Sequence, residues 1–338
     1  MGMMKYSWII FLMVVGIVSC KKEYSSGFIV DHTLQINDTT WNNSSSIQTL
    51  AKGITEDIKL TEFIDTVMVT NVGIDDDHKV LNNDNFRVTI PKYSLVNTIT
   101  NKTFSTGPVK IKLQASTSKG SFIRNFCSCI YNGHQGESVG FFNLSIYNKD
   151  TLMSVKPGSS IHLLIKDSLI KPQPKSVLIY FGNGYNVTDD NFTWQVDNNS
   201  SQHLDYWFTQ GSASKRGYDI TLNKLGWISL TAVDNTPVNN NKINVYLPVN
   251  FTNKNTLVYA VQNGSKNIAR LDADFLSRTF SHINMPSNQN VSLVSISKID
   301  NQYYLGYKTV NYTTQQSIFK VDPQPVTIAN VIDYLNAL

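Results

Sequence analysis

The chain has 338 residues, a formal net charge of +4 and only 16% charged side chains. That length accommodates two domains, and a near-neutral chain with no basic block excludes an electrostatic nucleic-acid binder. Polarity comes from Asn, Ser and Thr, which suit turns, while 16 Tyr, 16 Phe and 5 Trp favour strands.

The first segment is Met1-Gly2-Met3-Met4-Lys5, followed by an apolar run from Trp8 to Val18 that ends at Ser19-Cys20. A short basic start, an apolar stretch and a small residue at its end form a secretion signal. The run is shorter than the roughly 20 apolar residues a spanning helix needs. Its ending resembles the bacterial lipobox. That resemblance implies removal of residues 1–19 and acylation of the Cys20 thiol, making a membrane the first expected partner. The alternative is an ordinary secretion signal with a chance cysteine. Lys21-Lys22-Glu23 follow, with no Asp beside Cys20. By the same resemblance this favours the outer membrane, on either its periplasmic face or the cell surface.

Residues 20–83 read as a lipidated tether with N-terminal strands. Asp75-Asp76-Asp77-His78 is an acidic loop. Asp75 and Asp77 could offer hard oxygens to calcium, or the loop is a solvated turn. From residue 84 strand signals recur. Phe86-Arg87-Val88-Thr89-Ile90, Val109 to Leu113 and Ile161 to Ile165 each alternate one face inward and one outward. Clusters such as Lys156-Pro157-Gly158 punctuate them. This predicts a first β-sandwich over 84–170. His162 on its last strand faces outward with no evident partner.

Within that sandwich, Cys127, Cys129 and His134 are candidate soft ligands for zinc or copper, with Glu137 close by. The C-x-C-x4-H spacing is not a standard structural one, and the alternative is two semi-buried thiols and a loop histidine. In an extended strand the thiols share a face but lie too far apart for an unstrained disulfide. Gly136-Glu137-Ser138-Val139-Gly140 matches the G-x-S-x-G elbow. The elbow requires a strand-to-helix turn, whereas Phe141 to Ile146 reads as a strand, so a turn entering that strand is expected and Ser138 is not assigned a catalytic role.

Residues 171–217 are expected to connect, with strands at 177–181 and 206–208. Trp194, Tyr206 and Trp207 form the clearest aromatic cluster; such rings stack on sugars, and they also fill sandwich cores. A second β-domain is expected over 218–326, with Ile243, Val245 and Leu247 alternating inward. At the end, Thr327 can cap a helix over 327–338 whose stripe is Ile328, Val331, Ile332 and Leu335. The expected fold is therefore all-β: two tandem antiparallel β-sandwich domains and a short C-terminal helix, after a lipoprotein signal peptide.

Phe86 to Pro91 followed by Gly107-Pro108-Val109-Lys110-Ile111-Lys112-Leu113 resembles the opening of the sandwich module of ankyrins and netrin receptors. Gly140 to Ile146 and Leu152 to Gly158 fit its later strands, and Leu225-Gly226-Trp227-Ile228 would open the next block. With that last strand the chain resembles a group of Bacteroidota cell-envelope lipoproteins. The resemblance implies protein contacts rather than catalysis. The expectation is thus a lipid-anchored outer-membrane protein with a non-catalytic binding or structural role, no cofactor, and an envelope protein or glycan as partner. A surface glycan-binding protein and an envelope hydrolase are the alternatives.

Overall fold

In a computed structural model, the described residues are 40–41, 53–54, 56–69, 78–83, 86–131, 134–166, 177–183, 192–198, 201–203, 206–208, 214–233, 241–286 and 288–338. They belong to one compact unit that begins at Thr40. No helix among them is long and apolar enough to cross a membrane.

The N-terminal half is an antiparallel sandwich. One sheet follows the order β1 (Phe63–Val69), β5 (Gly107–Ser116), β7 (His134–Asn148), β15 (Gly226–Val233), β10 (Leu178–Asn183) and β11 (Thr193–Val196). Short strands β4 (Leu95–Asn97), β6 (Ile130–Tyr131) and β8 (Thr151–Val155) extend it beside β7. The facing sheet is β12 (Ser201–His203), β14 (Ser214–Leu222), β9 (Ile161–Lys166), β3 (Phe86–Ile90) and β2 (His78–Asn83), with β13 (Tyr206–Phe208) also on β14. The alternation read from the sequence is what fills this core: Val88, Ile111, Leu144, Ile161, Leu163 and Ile220 are all buried in it. Burying each such side chain contributes about 1.5–3 kcal/mol.

The expected boundaries at 170 and 218 do not hold. Strands of 178–233 complete both sheets of the sandwich, and Gly226–Val233 lies between β7 and β10 rather than opening a second block. Alternation shows that a stretch is a strand; it does not say which sheet the strand joins.

The C-terminal half is one sheet ordered β22 (Ile318–Lys320), β16 (Lys242–Tyr246), β19 (Thr279–Ile283), β18 (Ile268–Asp274), β17 (Thr256–Gln262), β20 (Gln289–Ile299), β21 (Gln302–Tyr312) and β23 (Gln324–Val326). Val245, Val258, Ala269, Phe280, Val310 and Phe319 from six of these strands share one core, so the sheet curls on itself. Gly306 permits the curl. A Cβ there would stand 2.7 Å from Val321 Cγ1 and 3.1 Å from the backbone of Pro323.

The opposite faces of the two bodies make a second, shared core. Phe141, Tyr180 and Trp227 of the sandwich meet Leu257, Tyr259 and Val294 of the curled sheet. Two short helices fill the space between. α1 (Lys119–Arg124) is capped by Ser118, and α2 (Ile328–Asn336) by Thr327 as the sequence predicts. Backbone hydrogen bonds stitch the junction: Cys129 N–H donates to Ile268 O at 2.8 Å and Ser138 N–H to Lys266 O at 3.2 Å, while Gly136 N–H, donating to Cys129 O at 3.0 Å, ties Cys129 to β7.

Gly120 sets how closely the helices approach, because a Cβ there would lie 1.6 Å from Leu335 O. Backbone cannot yield as a side-chain tip can. Gly120→Ala is expected to cost about 2–4 kcal/mol, at the upper end for single overpacking changes. A drop in the thermal unfolding midpoint checks this; an unchanged midpoint refutes the close docking of α1 on α2.

Candidate functional site

The described residues place a polar cleft of about 310 Å³ where an N-terminal segment crosses the curled sheet. Residues 53–54 and 56–58 are helical, and Ile54 and Ile58, four apart on one face, are buried in the shared core. Asp57 Oδ2 accepts hydrogen bonds from Lys298 Nζ at 2.6 Å and from the Tyr303 hydroxyl at 2.5 Å. Lys298 Nζ also donates to Gly53 O at 3.2 Å, and Arg124 Nε donates to Ile58 O at 2.7 Å. Lys298 and Tyr303 face each other across the β20–β21 pair, which puts the ammonium 5.3 Å above the Tyr303 ring.

Beside this clamp, the cleft is lined by Gly53, Ile54, Lys254, Asn255, Asp300 and Asn301 as well as Lys298. The hydrogen bonds from Lys298 and Tyr303 hold the Asp57 carboxyl below the usual carboxylate range, and burial with the Asp57 bond pushes the Tyr303 phenol up. At neutral pH the carboxylate is therefore ionised and already satisfied, and the phenol keeps its proton. That is the chemistry of a clamp that holds chain, with amides and charges at its rim able to hydrogen-bond a polar ligand.

The sequence candidates fall elsewhere. Cys127 and Cys129 lie in irregular chain between α1 and β6 rather than in an extended strand, and both are free, fully buried thiols in the shared core. Burial raises both, Cys129 to about 12, so neither is a thiolate near neutral pH. The Cys129 thiol contacts Lys266 O at 3.6 Å, and His134 sits in the β6–β7 hairpin opposite Tyr131. Among the described residues no group of three or more His, Cys, Asp or Glu is placed to hold a metal ion. Asp75 and Asp77 lie outside the described residues, as does Cys20.

Ser138 lies inside the long strand β7, not at a turn entering it. Pairing of β7 with β15 shifts register between Leu230 and Thr231, so Val139 is the extra residue of a bulge. The flanking glycines serve close packing. A Cβ on Gly136 would stand 2.4 Å from Thr231 Cγ2, and one on Gly140 3.0 Å from Ser116 O. Ser138 is fully buried and its hydroxyl reaches Leu230 O at 3.4 Å.

Trp194 is the main correction. It is 5% exposed and packed among Phe141, Phe192 and Tyr131, with centroid distances of 5.4, 4.9 and 6.1 Å. A ring that fills the core offers no face to a ligand. Tyr206 and Trp207 form backbone pairs with Arg216 and Lys215, and their side chains lie outside the described residues. His162, read as partnerless, has its Nδ1 3.0 Å from Asp219 Oδ1 on the outer face of β9 and β14. Sequence reasoning missed the Asp57–Lys298–Tyr303 clamp, since its members are 241 and 246 residues apart.

No family model, curated protein or solved structure matches this chain.

Two outcomes follow from the geometry. Asp57 has a folded-state pKa below its unfolded value, so its contribution to stability is present above the unfolded value near 4 and is lost as pH falls through the folded one. Asp57 is solvent-accessible, which keeps the effect small. The protection factors of amides in 56–59, corrected for the intrinsic exchange rate, should fall slightly on acidification below about pH 4, and Asp57→Asn should remove that acid-dependent loss. In a separate assay, Cys127 and Cys129 should resist maleimide in the folded protein and react after denaturation; rapid labelling of the native state would refute their burial.

Proposed function

We propose that this chain is a lipid-anchored protein of the bacterial cell envelope whose body makes protein contacts or serves as a scaffold, without a catalytic centre. The observation that carries the reading is the N-terminal order of a basic start, the apolar run Trp8–Val18, and Ser19-Cys20. Acyl chains on one cysteine bury methylenes at about 0.8 kcal/mol each, enough for stable attachment when more than one chain is present. The run itself is too short to serve as a span.

Three features support a contact role. The serine of the G-x-S-x-G match, Ser138, is buried in a strand, and both cysteine thiols are core residues held protonated. The strands that resemble the ankyrin-type module lie in one sandwich, and in that module the resemblance implies protein contacts. The broad sheet edges and loops of the body provide the surface for such contacts. With Trp194 in the core, the glycan reading would rest on Tyr206 and Trp207 alone, and protein contact is the better supported of the two.

The test is metabolic labelling with a tagged fatty acid, followed by fractionation. The wild-type chain should take up label and enter the membrane fraction, Cys20→Ser should lose both properties, and protease treatment of intact cells should then report which side of the outer membrane the body occupies. An unlabelled wild-type chain found in the cytosol would sink the proposal.

A further inference from the structure

The N-terminal segment and the most exposed apolar tips of the curled sheet lie at the same end of that sheet. Three connections define this end. Residues 247–255 join β16 to β17, residues 275–278 join β18 to β19, and Asp300-Asn301 join β20 to β21. The register requires them to be neighbours: Val245 pairs with Phe280, Asp274 with Thr279, and Thr256 with Ser297. Because β16 and β17 are separated in the sheet by β19 and β18, the 247–255 connection must cross the β18–β19 hairpin.

The folded unit begins here. Trp41 is buried against Phe280 at 5.4 Å, with the Arg278 guanidinium 5.7 Å from its ring. Gly53 lines the cleft at the same end. Upstream of Thr40, residues 21–39 reach no further than about 65 Å even when fully extended. Of all points on the body, the end holding Trp41 is therefore the one whose distance from an acylated Cys20 is most tightly bounded.

This end also carries apolar side chains that the fold does not bury. Val249 is 84% exposed and Leu276 is 74% exposed, each at a loop tip. Apolar loop tips surrounded by polar side chains are the pattern of a surface that seats shallowly in a lipid interface, where each tip adds little and the anchor supplies the local concentration. Charge does not select the lipid: Lys254, Lys298 and Arg278 stand among Asp57, Asp274 and Asp300.

We propose that this end of the curled sheet rests on the bilayer, with Val249 and Leu276 seated at headgroup level and the sandwich held away from it. The proposal rests on the lipid anchor at Cys20. It gives the anchored body a defined orientation, leaving the edges of the sandwich as the surface open to a partner.

The experiment uses the acylated full chain in vesicles of phosphatidylethanolamine and phosphatidylcholine. Val249→Cys, Leu276→Cys and Ile99→Cys each carry an environment-sensitive fluorophore. Labelling is selective because Cys127 and Cys129 are buried, and Ile99, 77% exposed on the sandwich, is the control. Emission at 249 and 276 should shift to the blue and be quenched by a nitroxide on the lipid headgroup or upper acyl chain, with emission at 99 unchanged. Three equally water-exposed probes on a fully vesicle-bound protein would overturn the orientation and leave the anchor reading standing. Failure of the purified native chain to carry acyl chains or bind vesicles would overturn both. A blue shift that appears without vesicles in Cys20→Ser protein, and grows with its concentration, would mean that a second copy covers the tips and would also overturn the proposal.

Discussion

The junction between the sandwich and the curled sheet is an apolar layer that neither body can complete by itself. Phe141, Tyr180 and Trp227 stand on the outer face of one sheet, and Leu257, Tyr259 and Val294 on the outer face of the other. Either set alone would expose a large apolar patch to water, which monomeric proteins avoid. The rest of the gap is filled from both ends of the folded chain, by Ile54 and Ile58 near its start and Val331 and Leu335 near its finish. The clamp at Asp57, the close approach at Gly120 and the backbone bonds of Cys129 and Ser138 all serve this layer. Apolar burial supplies the stabilisation, since a partly exposed ion pair such as Asp57–Lys298 contributes about 1 kcal/mol or less.

Polar groups in and around the layer add uniqueness to it. The Tyr131 hydroxyl, Ser229 and Thr231 form a closed set of bonds between 2.5 and 2.7 Å, and Gln114 donates to Asn125, which donates to Ser116. A buried hydroxyl without a partner costs about 1–3 kcal/mol. Slipping β7 against β15 by one residue would strand several at once. The Val139 bulge and the network together hold that register, and close packing against Thr231 and Ser116 accounts for the two glycines that, with Ser138 between them, imitate a nucleophile elbow.

What was legible in the sequence follows from the reach of each signal. Alternation at 86–90, 109–113, 161–165 and 243–247 marks strands because one face of each is wet or less apolar, and Thr327 with the Val331–Leu335 stripe marks α2. The partition into domains was not legible. Trp227 and its neighbours form a strand buried on both faces, and such a strand does not say which sheet it serves. The aromatic cluster at Trp194 misled for a related reason, since large rings fill cores and bind ligands with the same composition. α1 had a signal that went unread: Ser118 and Ser121 form a reciprocal cap. The clamp had none, because no local pattern ties residue 57 to residues 298 and 303.

Among the described residues, the pairing of β16 with β22 is the one parallel contact in the curled sheet, and it joins strands more than 70 residues apart in the sequence. Loop-closure entropy must be overcome before such a contact returns any energy, so distant pairings form late and slowly. Until Phe319 and Val321 arrive, the inner faces of β16 to β21 have no cover on that side. An unfinished sheet of this kind is a hazard for edge-to-edge association. A chain that stopped short of β22 would therefore carry every earlier strand of this sheet and still lack a closed core, so the interval between the completion of β21 and the arrival of β22 is the one of greatest susceptibility to aggregation and degradation.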